Sequence, residues 1–459
     1  MHLFKKFSSA FWVANFVELM ERAAYYGVFI VITLYLSRIL AFSDLEAALI
    51  SGTFSALLYL LPTFTGAYAD KIGFKKSLIV AFSLLTLGYA GLAIFPNILE
   101  GADLVEYGRE TVFKGLVESN QKYIIVPIMA LIILGGSFIK SVITGTVAKE
   151  TSIDNRATGF SVFYTIVNIG AFSGKTIVKP LREAMGNVGL INISYFSAGM
   201  TLLALLAVIL FFRPSIKHGE GKSLSEIIYA LGKVLTNGRL ITLIIIITGF
   251  WMVQHQLYAT MPKYVLRMAG ESASPSWYAN VNPLVVFSTV GLITAIMRKR
   301  SALLSMTVGM FIMPVSAFCM AAGNIIGGDT MGFINMHPVA FMMIVGIAFQ
   351  GLAEAFISPR FLEYFSLQAP KGEEGLYLGF SHLHSFLSSL LGFGLSGYLL
   401  DQYCPDPKLL SEAERLTAYD HAHYIWFVFM GIASVSAIAL IIYGKVTTRL
   451  DAKKTGKSV

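Results

Sequence analysis

Long apolar stretches alternate with short polar ones along the whole chain. Runs of about 20 apolar residues are long enough for a helix to cross a bilayer. They predict twelve membrane helices, over 11–39, 44–69, 75–96, 122–149, 157–180, 189–212, 240–267, 277–297, 302–323, 338–366, 376–400 and 422–444. The segment 213–239, "RPSIKHGEGKSLSEIIYALGKVLTNGR", breaks the pattern, being basic, polar and amphipathic. It divides the spans six and six. The expected organisation is an N-terminal six-helix bundle over 1–212, a linker over 213–239, and a C-terminal six-helix bundle with a tail over 240–459. The segment 97–122 is long for a connection between spans and reads either as a short surface helix or as a solvated loop.

Composition agrees with a polytopic all-α membrane protein. Of 459 residues, 55% are hydrophobic and 14% charged, against about 25% charged in soluble domains. The net charge of +8 is no sign of nucleic-acid binding, because of where it falls. Lysine and arginine gather in every second loop and at the termini, as at Lys71, Lys75, Lys76, Lys299 and Lys453. That bias places both termini and the linker in the cytoplasm. The first apolar stretch is too long for a signal peptide and lacks a small-residue cleavage site, so it is read as the first span. Two cysteines, Cys319 and Cys404, supply neither a disulfide framework nor a metal set. No P-loop or G-x-S-x-G appears, so an enzyme is not expected.

The first span carries charges. In "VELMERAAYYG", Glu18, Glu21, Arg22, Tyr25 and Tyr26 stand at i, i+3, i+4, i+7 and i+8. These spacings share one helix face. A charge at the bilayer centre costs about 2.5–3.5 kcal/mol on insertion scales. The stripe must therefore face protein or water. Buried ion pairs stabilise poorly compared with apolar packing, so a functional cavity explains the stripe better than a structural clasp.

Several motifs then fall in order. "GAYADKIGFKK" at 66–76 resembles the cytoplasmic loop motif of the major facilitator superfamily, with Asp70 and Lys71 as latch residues. The six-plus-six layout matches that superfamily, in which substrate sites lie near the midplane between the halves. "ELMERAAYYG" resembles the E-x-x-E-R-F-x-Y-Y-G signature of the proton-dependent oligopeptide transporter family, with Ala23 in place of Phe. Tyr59 in "LLYLLPTF", Lys140 in "GGSFIKSVITG", Asn168 in "FYTIVNIGAFSG", Asn282 in "NVNPLVV" and Glu354 in "EAFISP" follow the family pattern across both halves. The resemblance implies the major facilitator fold and proton-coupled symport of di- and tripeptides by alternating access. It also implies roles for residues. Glu18, Glu21 and Arg22 would couple the proton. Arg22 and Lys140 would hold the substrate carboxylate and Glu354 its ammonium. Tyr25, Tyr26, Tyr59, Asn168 and Asn282 would complete the site. A proton is the expected coupling ion, with no cofactor or metal. The implied partners are short peptides and the lipid bilayer, with no nucleic acid. The expected setting is the inner cell membrane, as a monomer.

The chain also departs from the family. "FWMVQHQLY" places His255 where the family has a titratable Glu that pairs with the first-helix arginine. A neutral imidazole can hydrogen-bond Arg22 and a protonated one repels it, so His255 keeps a proton-coupling role with reversed charge logic. Ser381 in "GFSHLHS" replaces a pocket Trp. His382 and His384, two residues apart, point to nearly opposite faces and are not expected to share a metal. His421 and His423 are expected to face solvent. Arg360 and Glu363 form either an inner-gate pair or a helix-end cap. His255 and Ser381 motivate a second reading, a carrier of a nitrate-like or organic anion. Glu354 argues against it.

Overall fold

The computed structural model describes residues 7–151, 155–214, 223–297, 299–332, 334–368, 380–415 and 417–455. It is almost entirely helical. Among the described residues, ten helices are long and apolar enough to cross a membrane, and one bent pair makes an eleventh. The remaining expected span is the 30-residue helix Arg156–Met185, long enough to cross but too polar to register as apolar. Thr165, Asn168, Ser173, Lys175 and Thr176 lie along it. The fold divides into two compact units between Ile227 and Ile228.

In the amino-terminal unit, α1 (Ser9–Phe29) begins where the Ser8 hydroxyl accepts the Phe11 amide at 3.1 Å. The turn after Phe29 tightens, with the Val31 amide on the Val28 carbonyl. α2 (Ile32–Arg38) leaves at 46° to α1. A capping box opens α3 (Asp44–Leu60): Ser43 Oγ takes the Glu46 amide and Glu46 reaches back to the Ser43 amide at 2.9 Å. Pro62 starts α4 (Pro62–Ile72), where its missing N–H costs nothing. Gly73, at φ +90°, supplies the left-handed turn into α5 (Phe74–Gly101). Then follow α6 (Ile125–Lys149), α7 (Arg156–Met185) and α8 (Asn187–Phe211). α1 packs on α7 and α8, and α5 on α6 and α8.

The segment 97–122 is neither the surface helix nor the plain loop expected. α5 runs on to Gly101, and a β-hairpin follows: β1 (Val105–Tyr107) pairs antiparallel with β2 (Thr111–Phe113). The hairpin is pinned at several points. Tyr107 Oη donates to the Ile39 carbonyl at 2.8 Å, and Arg109 Nη2 donates to the Glu183 carbonyl at 3.1 Å. The Asn187 amide donates to the Arg109 carbonyl at 3.0 Å. Gly186 (φ +63°) turns α7 into α8 directly beneath, where a Cβ would meet the Arg109 carbonyl oxygen at 2.5 Å.

The linker holds an amphipathic helix, α9 (Leu224–Thr236). In the carboxy-terminal unit, the expected seventh span is broken into α10 (Gly238–Gln254), α11 (Gln256–Ala259) and α12 (Met261–Ala269). Pro262 accounts for the second break, since it cannot donate to the preceding turn. The unit continues with α13 (Pro275–Tyr278), α14 (Val281–Met297), α15 (Ala302–Ile326), α16 (Pro338–Leu367), α17 (Leu383–Tyr403), α18 (Glu412–Arg415) and α19 (Tyr424–Thr455). The expected start of the eleventh span near 376 lies outside the described residues. α15 packs on α16 and α19, and α10 on α17 and α19.

Candidate functional site

The charged stripe of α1 lies in the interior of the amino-terminal unit. Glu18, Glu21 and Arg22 are all buried, the arginine only 8% exposed. Arg22 Nε sits 3.2 Å from Glu18 Oε1, one turn away, and the guanidinium also pairs with Glu21. One cation thus serves two carboxylates. Glu18 keeps its second oxygen, Oε2, buried with no hydrogen bond among the described residues.

The backbone explains how Arg22 reaches this place. Gly170 and Gly174, one turn apart on α7, let that helix approach α1 as closely as two backbones can. A Cβ on Gly170 would stand 2.7 Å from Arg22 Cβ, and one on Gly174 would strike the Ala23 carbonyl and lie 2.9 Å from the Gly27 amide. Glu18 and Glu21 are buried in the unit, and Tyr25 and Tyr26 are half-buried.

A cavity opens beside the stripe. Its empty volume, counted out to open solvent, is about 450 Å³, and Glu21, Arg22, Tyr25, Tyr26, Tyr59 and Lys140 line it. Lys140, from α6, holds its Nζ 4.0 Å from the Tyr59 ring centroid, and the Arg22 guanidinium stands 5.4 Å from that of Tyr25. Such cation–π contacts steady a charge without neutralising it. Six expected site residues therefore meet in one place. Asn168 does not line this cavity, and its side chain donates to the Tyr164 carbonyl of its own helix at 2.8 Å.

A second polar cluster lies in the carboxy-terminal unit. Glu354 Oε2, on α16, accepts Gln254 Nε2 at 2.8 Å and Asn282 Nδ2 at 3.3 Å. Two neutral amides from two helices hold one carboxylate. His255 is buried at the α10–α11 break, with Nδ1 3.3 Å from Ser388 Oγ and 3.4 Å from Ser389 Oγ on α17. Next along α11 and α12's approach, Gln256 donates to the Gly392 carbonyl at 3.2 Å and Thr260 meets Ser396 at 2.6 Å. The broken helix is stitched to α17 by these bonds. Ser381 is fully buried. His384 is buried against Phe361 and Trp251, whereas His382 is exposed.

The gate residues are less concentrated. Lys71 is exposed, and the side chain of Asp70 lies outside the described part. Arg360 pairs with Glu363 at 2.5 Å and also donates to the carbonyls of Met297 and Arg300, the latter at 2.9 Å. It thereby closes the end of α14. Of the two outer histidines, His421 is exposed, but His423 is half-buried and bonded to Asn324 at 3.0 Å. Among the described residues no cluster of metal-ligating side chains occurs.

The family model described as Major Facilitator Superfamily matches residues 11–330. The chain belongs to the Major Facilitator Superfamily. This superfamily member is 24% identical over 492 residues to the dipeptide and tripeptide permease B of Shigella dysenteriae serotype 1 (strain Sd197), covering 93% of each chain. It is 24% identical over 499 residues to the permease B of Photorhabdus asymbiotica, covering 97% of this chain and 96% of that one. A solved structure from work on substrate recognition in proton dependent oligopeptide transporters matches with a TM-score of 0.72 at 17% identity. The match covers 96% of this chain and 99% of the other, so the fold is shared.

Three residues escaped the sequence reading. Tyr89, on α5, is buried and lines the cavity. Gln254 holds Glu354. Lys175, on α7, is 2% exposed, with Nζ 5.2 Å from the centroid of Tyr26. A lysine inside an expected membrane span was a readable signal. The other two, an aromatic and an amide, carry none.

Proposed function

We propose that this multi-pass membrane protein is a proton-coupled symporter of di- and tripeptides, working by alternating access in the inner cell membrane with both termini cytoplasmic. The observation that carries the reading is Arg22, shared between Glu18 and Glu21 on the wall of a cavity that also presents Lys140. The names of the relatives and the shared fold support it.

The chemistry follows from what Arg22 can do. Paired with two carboxylates, the guanidinium has little to offer a third. A proton taken up by Glu18, whose Oε2 lacks a partner, or by Glu21 removes one competitor. Arg22 can then bind a peptide carboxylate through two parallel N–H bonds. Lys140 adds a second charge. Tyr25, Tyr26 and Tyr59 provide hydroxyls and apolar faces tolerant of varied side chains. Glu354, oriented by Gln254 and Asn282, takes the peptide ammonium. Asn168 and Ser381 complete the polar lining in this reading. His255 assists proton transfer, while Asp70, Lys71, Arg360 and Glu363 steady the cytoplasmic helix ends. In a more alkaline cytoplasm the proton leaves, Arg22 returns to its carboxylates and the peptide is released. Each chain carries the full set of groups, so the single chain is the transporting unit.

The test is uptake into proteoliposomes. An inward proton gradient should concentrate Ala-Ala inside, and Glu21→Gln should abolish concentrative uptake while sparing peptide exchange. Peptide accumulation indifferent to the gradient would remove the coupling, and absence of any peptide uptake would remove the substrate.

A further inference from the structure

We propose that Tyr89, on α5, is a further substrate-binding residue, whose hydroxyl donates a hydrogen bond to the peptide carboxylate held by Arg22 and Lys140. The proposal rests on the peptide reading above and deepens it by one contact.

Tyr89 is 1% exposed and lines the same cavity as Arg22 and Lys140. A buried tyrosine usually bonds its hydroxyl to a protein partner, as Tyr35 of the same unit does to the Leu92 carbonyl at 2.5 Å. The Tyr89 hydroxyl has no hydrogen-bond partner among the described residues, yet it is not one of the polar atoms sealed off in the interior. An oxygen neither bonded nor sealed off opens on the space its residue lines, which is the cavity. If packing were its only role, a phenylalanine would fill the position equally well.

The backbone aims the hydroxyl at the cations. Gly135 approaches Leu85, Gly88 approaches Ile132 and Gly91 approaches Ile128, so α5 and α6 run antiparallel in close contact. Gly88, the residue before Tyr89, sits where a Cβ would stand 3.1 Å from the Ile132 amide. Tyr89 is thus rooted beside Ile132. Ile132, Gly136 and Lys140 follow at i, i+4 and i+8 on one face of α6, and all three line the cavity. Lys140 lies about 12 Å along the helix from Ile132, and the residue midway has no side chain. Side chains lean toward the N-terminus of their helix. On antiparallel helices that tilts Tyr89 and Lys140 toward each other, over Gly136. The chemistry of the ligand leaves a place for the hydroxyl. A carboxylate offers about four acceptor positions. Two parallel bonds from Arg22 and one from Lys140 occupy three, and Tyr89 supplies a neutral donor for the fourth.

The experiment is Ala-Ala uptake by the full chain in proteoliposomes, comparing the wild type with Tyr89→Phe, which removes the hydroxyl and keeps the ring. The KM should rise about ten-fold, the worth of one hydrogen bond to a charged group, with kcat and the thermal midpoint in detergent unchanged. A tyrosine that only packs would leave the KM where it was, and that result overturns the proposal. A structure of the wild type with Ala-Ala bound needs no variant to fold, and it decides the matter if the midpoint falls. Tyr89 Oη should lie about 2.5–3 Å from a carboxylate oxygen of the peptide. A hydroxyl turned away from the peptide, or bonded elsewhere, overturns the proposal as well. In either case Ala-Ala uptake by the wild type leaves the peptide reading standing. If the wild type takes up no Ala-Ala, the peptide reading falls and this proposal with it.

Discussion

The two units solve the same problem, a charge kept inside a membrane protein, in opposite ways. The amino-terminal unit sets charge against charge: Arg22 between Glu18 and Glu21, with Lys140 on the facing wall. In the carboxy-terminal unit two neutral amides, Gln254 and Asn282, bond the carboxylate of Glu354. The difference bears on what each can do. An ion pair can be exchanged, because a proton or a substrate carboxylate can replace one member. A carboxylate held by amides keeps its orientation. The amino-terminal cluster is thus suited to switching and the carboxy-terminal one to holding.

Predictions follow from breaking each arrangement. Arg22→Met should have the largest effect, because it leaves two buried carboxylates without their cation. We expect about 3–5 kcal/mol of lost stability, read as a lower thermal midpoint in detergent, together with loss of uptake. Gly174→Leu comes next. Its side chain has nowhere to go between α7 and the Ala23 carbonyl, and overpacking of this kind costs about 1–3 kcal/mol. Uptake should fall with the midpoint, and a variant as stable as the wild type would show that the close contact is dispensable. Glu354→Gln should spare the fold and raise the KM for Ala-Ala by about ten-fold or more, the worth of a charged hydrogen bond. An amino-acetylated peptide should be unaffected by the same change, which separates ammonium recognition from general damage. Gln254→Leu sharpens the comparison further, removing one of two amides for a KM increase of only about five-fold. His255→Asn should be smallest, near 1 kcal/mol of stability, since it alters hydrogen bonds to Ser388 and Ser389.

Much of this was legible in the chain. Apolar run length located the starts of most helices to within a few residues, because crossing a bilayer imposes a length, although the last helix, expected to end at 444, runs on to Thr455. The stripe on α1 was legible because charges are costly there and their spacing was helical. The hairpin was not. Its strands have three residues each, too short for alternation to register, and they are held by Ile39, Glu183 and Asn187 from elsewhere in the chain. Nor was the stitching of α11 and α12 to α17. Serines read as small residues until a partner such as His255 or Thr260 is placed beside them. Gly170 and Gly174 were visible as part of a motif, but only backbone proximity shows what they separate.

The contact between α1 and α7 has one more consequence. Helices that touch through side chains can slip past each other by repacking rotamers. Helices that touch backbone to backbone, as at Gly174, Ala23 and Gly27, have nothing to repack. Arg22, whose Cβ lies against Gly170 on the same seam, is anchored by that contact at one depth in the unit. The seam thus gives the cavity's guanidinium a single place from which to act, whatever the side chains around it do.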